Sequence, residues 1–190
     1  VARSSVSLFA GTLVLALCLV LPAGASADTS FCAPGSGAGQ CNEQSGVASD
    51  FESGRLYVAD TDNNRIDVFE ANGEFLFAFG WRVNAAAPEE KLQTCNAVTG
   101  CLAGTAGLGA GQLKGPRRVA VDNDAASPSH HDVYVFDSGN RRIEKFDPSG
   151  ALLASKENAG SGTGPGEFAE TVDPIAVSPS GELYVGDTPK

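Results

Sequence analysis

Three glycine-spaced runs punctuate this chain: Gly35-Ser36-Gly37-Ala38-Gly39-Gln40, Gly107-Leu108-Gly109-Ala110-Gly111-Gln112 and Gly162-Thr163-Gly164-Pro165-Gly166-Glu167. Each precedes a short apolar strand that ends in aspartate: Leu56–Asp60, Val133–Asp137 and Leu183–Asp187. A unit repeated at this spacing cannot bury its own apolar face and has to stack on its neighbours. The repeat therefore constrains the architecture before any other feature does.

Alignment on Tyr57, Tyr134 and Tyr184 brings the rest of each unit into register. Upstream, Gly46–Asp50 corresponds to Arg118–Asp122 and Pro174–Ser178, with Gly- and Ser-containing turns before the central strand. Downstream, Thr61–Ile66 corresponds to Ser138–Ile143, and Asn72-Gly73 and Ser149-Gly150 each supply a two-residue hairpin turn. The last strand of the first unit alternates, which predicts Phe75, Phe77 and Phe79 on one face. The stretch Leu56–Ala59 has no polar face, as a sheet covered on both sides requires. Four-stranded antiparallel sheets stacked face to face around an axis make a β-propeller. A β-sandwich gives no reason to repeat the aspartate and the glycine run at equivalent places.

The run Gly46–Asp50 followed by Arg55–Phe69, with its second copy through Asp137-Ser138-Gly139-Asn140-Arg141-Arg142-Ile143, resembles an NHL repeat. The resemblance covers about residues 37–80 and 109–190. It implies an all-β fold with six blades in a complete protein, of which this chain supplies two full four-stranded blades and part of a third. Blades of about 40–45 residues cannot close a ring in so short a chain. The expectation is the amino-terminal portion of a longer reading frame, with ring completion by oligomers as the alternative.

Residues 1–27 read as a secretory leader: Arg3, an apolar run from Leu8 to Leu21, Pro22, and Ala25-Ser26-Ala27 as the cleavage site. The run is shorter than the ~20 residues of a membrane span, and the remaining sequence contains no other apolar run of that length, so no transmembrane anchor is expected. Thereafter come the first blade within 28–80, a cysteine-containing insertion at 81–108, the second blade at 109–155, and a Gly-rich linker with the incomplete third blade at 156–190. Export favours disulfides among Cys32, Cys41, Cys95 and Cys101. Four cysteines allow three connectivities; the two local pairs are preferred, and their spacing is wider than zinc-ligand pairs use. Beyond Arg3 the chain holds 12 basic and 23 acidic residues, a balance that disfavours nucleic acid as a partner.

A residue present in every copy serves a job that every blade has. By that rule Asp60, Asp137 and Asp187, with Arg65 and Arg142, are structural, each aspartate accepting backbone N–H bonds in the turn that follows. The Asp60–Asn64 stretch resembles the start of an EF-hand loop, but Arg65 and Ala71 stand where that loop needs glycine and glutamate. The glycine runs occur three times with no helix after them, so they read as flexible inter-blade linkers rather than phosphate cradles. The features found once are Trp81, the insertion, expected to project from a rim or to shield an edge, and His130-His131. Adjacent histidines in a loop are expected to point apart, so no shared metal is assigned to them, and no catalytic residue or cofactor is assigned anywhere. The preferred reading is a secreted, non-catalytic module that binds or scaffolds a protein or small ligand. The rivals are part of a propeller enzyme, such as a metal-dependent lyase or a lactone hydrolase, and part of an envelope sensor ectodomain.

Overall fold

The computed structural model describes residues 31–156 and 172–187. The leader at 1–27 and the third glycine run, Gly162–Glu167, lie outside the described residues. Two short strands, β1 (Ala33–Pro34) and β2 (Gln40–Cys41), pair with each other ahead of the first blade. That blade holds β3 (Gln44–Ser49), β4 (Leu56–Asp60), β5 (Arg65–Phe69), β6 (Phe75–Trp81) and β7 (Leu92–Cys95) in spatial order, all antiparallel. The second holds β8 (Pro116–Val121), β9 (Val133–Asp137), β10 (Arg142–Phe146) and β11 (Leu152–Lys156). Of the third, β12 (Val172–Val177) and β13 (Leu183–Asp187) form a hairpin.

The chain is a partial β-propeller, and the strand periodicity explains how its blades stack. In β9, Val133 and Val135 face the first blade, where they join Tyr57, Ala59, Ile66, Val68 and Phe79 in one core. Their neighbours Tyr134 and Phe136 face the third blade and pack with Ile175, Val177, Leu183 and Val185. A strand with side chains alternating between two dry interfaces has to be apolar on both sides. The first strands of neighbouring blades lie side by side, β3 against β8 and β8 against β12, and so form the hub. Gly46 in β3 is needed there, because a Cβ would sit 2.6 Å from the Arg117 carbonyl oxygen.

Two expectations change. Phe75 does not share a face with Phe77 and Phe79: the register slips between Val68↔Phe77 and Phe69↔Phe75. A bulge adds one residue to one strand and turns the side chains beyond it to the other face, so Phe75 packs edge-on to Phe69, 5.5 Å between ring centres. The first blade, expected to have four strands, has a fifth: the insertion lays Leu92–Cys95 along β6 and shields that edge, the second of the two readings of it. Cys95–Cys101 closes the insertion, and Cys32–Cys41 ties the amino-terminal segment that covers part of the outer face of the first blade. Among the described residues no helix is long and apolar enough to cross a membrane.

Phe79 stands at the centre of the interface between the first two blades, 5.0 Å from Phe146 and fully buried. Truncation to alanine is expected to cost about 3–5 kcal/mol in urea unfolding. Val98→Ala, at a side chain 95% exposed, is expected to stay within about 0.5 kcal/mol of the parent. Similar losses at both positions would contradict this stacking.

Candidate functional site

The repeated arginine clusters and the two histidines lie at opposite ends of the blades. At the end where β4 and β9 finish, each full blade buries one guanidinium. Arg65 Nε lies 3.1 Å from Asp60 Oδ2 and 3.2 Å from Asp67 Oδ1, all three side chains fully buried. Its Nη1 donates to the carbonyls of Ser36 (2.7 Å) and Leu102 (3.0 Å), and Nη2 to those of Gly37 (2.9 Å) and Gln40. The second blade repeats this arrangement. Arg142 Nε donates to Asp137 Oδ2 at 3.0 Å, Nη2 lies 3.1 Å from Glu144 Oε1, and the remaining bonds go to the carbonyls of Leu108, Gly109 and Gln112. Asn63 and Asn140 each bridge the aspartate to the first glycine carbonyl of the run, Gly35 and Gly107.

The glycine runs at Gly35–Gln40 and Gly107–Gln112 are therefore not flexible linkers but ordered acceptors for an arginine. Gly39 and Gly111, at φ of 70° and 77°, supply the left-handed turns that L side chains resist. The aspartates also differ from expectation. The backbone N–H groups they accept come from the upstream segment, Asn42 to Asp60 and Lys114 to Asp137, both at 2.7 Å. For Asp187, only the backbone pairing with Val172 is described. Asp67 and Glu144 are partners that sequence reasoning missed. The signal available was an acidic residue two places after each arginine, at equivalent positions of the two repeats.

One guanidinium faces two carboxylates in each blade, and burial then favours a bound proton. Burial pushes Asp67 well above the usual aspartate range, against the pull of Arg65 and with a further push from Asp60. Burial likewise raises Asp137 and Glu144, opposed at Asp137 by the Lys114 N–H, Asn140 and Arg142, and at Glu144 by the Gly111 N–H and Arg142. A carboxylate whose folded pKa exceeds its unfolded value of about 3.9 contributes fully below that value, and the contribution is lost as pH rises through the folded one.

The other end carries the loops between the first and second strands of each blade, capped by the equivalent buried residues Asp50 and Asp122, and here the two histidines meet the first blade. Asp50 is buried and accepts from the backbone N–H groups of Glu52 and Ser53 and from the Ser53 hydroxyl, 2.7 Å away. Burial alone would raise its pKa, but these bonds and the nearby His131 hold it below the usual value. From the second blade, His131 Nδ1 lies 2.9 Å from Asp50 Oδ2. His130 and His131 stack with ring centres 3.6 Å apart, contrary to the expectation that they point apart. Both lie in the turn at 128–131, where His131 takes a left-handed φ of 72°. Both Nε2 atoms approach one oxygen, Glu52 Oε2, at 3.5 Å and 3.6 Å. Asn123 stitches the two loops together, donating to the Ser49 carbonyl and accepting from the Phe51 N–H. A second grouping, Cys32, Cys41 and Asp67, offers no thiolate, because both sulfurs are in the disulfide.

Two changes probe the buried cluster. Arg65→Met leaves two carboxylates and a ring of carbonyls without their donor, and is expected to cost about 3–5 kcal/mol in urea unfolding. With Asp67→Asn, the stability of the parent relative to the variant is expected to shrink as pH rises from about 4 to 8. A gap that widened with pH would mean that Asp67 is ionised in the fold.

Residues 45–69 match the NHL repeat. No curated protein matches the sequence. Among solved structures, the chain is similar to one in a nidogen/laminin complex at 15% identity, over 72% of this chain and 36% of that one, TM-score 0.42. It is similar to a chain of hydrazine synthase from Kuenenia stuttgartiensis at 12% identity, over 75% and 28%, TM-score 0.43. An auxiliary nutrient binding protein from Bacteroides thetaiotaomicron matches at 16% identity, over 78% and 46%, TM-score 0.38. The chain spans less than half the length of each of these three. Residues within the first blade thus match one NHL repeat, and the stacked antiparallel blades make the chain a partial β-propeller.

Proposed function

We propose that the protein is an exported, non-catalytic binding or scaffold module, and that its ligand, a protein or a small molecule, meets the rim formed by the loops at 50–55 and 122–132. One observation carries this reading. The arginine clusters that recur from blade to blade turn inward and bond to the blades themselves, while the two histidines, which occur once, lie with Glu52 on the opposite rim. Phe51 and Glu52 stand exposed there beside the two histidines. Loops held by a rigid scaffold are where recognition is commonly placed, and the Asn123 bonds hold these two in a fixed relation. Two disulfides suit an oxidising compartment, in keeping with a cleaved leader at 1–27.

A second reading, a metal-dependent lyase or lactone hydrolase, has the convergence of Glu52, His130 and His131 as its supporting observation. The two readings separate with the full chain collected after export. Peptides, oligosaccharides and lactones are presented for binding by interferometry and for turnover. The expected result is a bound ligand whose affinity falls at least tenfold in Phe51→Ala with Glu52→Gln, is unchanged by Leu153→Ser on the outermost strand, and is not consumed. Turnover that disappears in His130→Gln would overturn the binding reading in favour of the enzyme.

A further inference from the structure

We propose that Glu52, His130 and His131 form a zinc site that bridges the first two blades, with one coordination position left open to solvent. The distances argue for an ion rather than for direct hydrogen bonds. At 3.5 Å and 3.6 Å the Glu52 Oε2 contacts to the two Nε2 atoms exceed the ~2.7–3.2 Å of a hydrogen bond from nitrogen to oxygen. They are close to the separation of two ligands on one tetrahedral zinc ion, about 3.3–3.4 Å for bonds of about 2.0–2.1 Å. All three donor atoms lie within 4.8 Å of one another, and a splaying of the stacked rings, now 27° apart, aims both Nε2 lone pairs at a single ion.

The tautomer is also set. Asp50 as a carboxylate can only accept, so the proton of neutral His131 sits on Nδ1, toward Asp50 Oδ2 at 2.9 Å, and the Nε2 lone pair faces Glu52. A carboxylate behind a histidine in this way is the usual outer support of a metal ligand. The same aspartate fixes the start of the Glu52 loop through the Glu52 and Ser53 N–H groups, and one residue thereby positions ligands from both blades. His130 and His131 sit in a loop held by the Ser127–Asp122 and Lys145–Asp132 contacts, each 2.7 Å, so little ordering remains to oppose binding.

The donor set selects the ion. Two imidazoles and one carboxylate are poor in oxygen for calcium, which takes about 6–8 oxygen ligands, and suit zinc and its neighbours in the first transition row. Zinc has no redox chemistry to lose in an oxidising compartment. With Glu52 72% exposed, the fourth position faces water and would accept an anionic oxygen from a ligand.

The test uses the full chain after export, freed of metal by chelation. Native mass spectrometry with added Zn²⁺ is expected to show one ion per chain. Competition with a chromophoric chelator is expected to show at least about a hundredfold weaker binding in both Glu52→Gln and His130→Gln. Each variant should keep the metal-free melting temperature of the parent, since neither side chain belongs to the buried core. Co²⁺ in place of zinc is expected to give the intense visible bands of four-coordinate geometry in the parent alone. Failure to bind one ion, binding that survives both substitutions, or the weak bands of six-coordinate cobalt would each overturn the proposal. None of these readouts depends on whether the rim also binds a ligand, so the two ideas can fail separately.

Discussion

One buried guanidinium in each full blade ties together parts of the chain that would otherwise be free of one another. Arg65 reaches the end of β4 through Asp60, its own strand through Asp67, and the glycine run that leads into the blade through the carbonyls of Ser36, Gly37 and Gln40. Arg142 makes the same set of connections. A buried ion cluster of this kind is a poor source of net stability, because desolvation offsets most of the attraction. Its consequence is registration. Arginine presents donors in a fixed planar fork, and the carbonyls can meet that fork only if the run crosses the blade end at one height. The position of each first strand, and hence of the hub, follows from that height.

The same cluster explains why charge and burial coexist in strands that otherwise read as core. With two carboxylates and one guanidinium in a dry space, electrostatics would leave an excess negative charge. Burial raises the pKa of both Asp67 and Glu144, so each takes up a proton more readily than a free carboxylate, which limits the penalty at positions between Ile66 and Val68 and between Ile143 and Lys145.

How far the sequence disclosed this differs from element to element. The strands centred on Tyr57 and Tyr134 were legible because alternation in a doubly covered strand leaves no polar face, and both tyrosines are buried. The arginines and aspartates were legible as repeated residues, but not their mutual geometry, since a period says that positions are equivalent and not what they touch. The glycine runs were misread because glycine signals freedom of backbone, and here that freedom is used to aim carbonyls. Phe75 was misplaced because a single bulged residue has no signature in an alternating apolar strand. The fifth strand, β7, was hidden because Leu92–Cys95 is too short to show a period.

The rim was the least legible part, for a reason rooted in the architecture. Glu52 and His131 belong to loops of different blades, far apart in sequence, and they meet only because β3 and β8 lie side by side at the hub. Stacking brings the loops after these first strands together wherever two blades adjoin, whatever those loops contain. The blades can thus keep their arginine clusters at one end while the loops at the other, apart from the capping Asp50 and Asp122, diverge in length and composition, as 50–55 and 122–132 do. A propeller of this kind separates the residues that keep its blades in register from the residues free to acquire a ligand. Asp50 is where the two concerns touch: it is buried as part of the blade, and it is the group that orients His131 and seats the Glu52 loop.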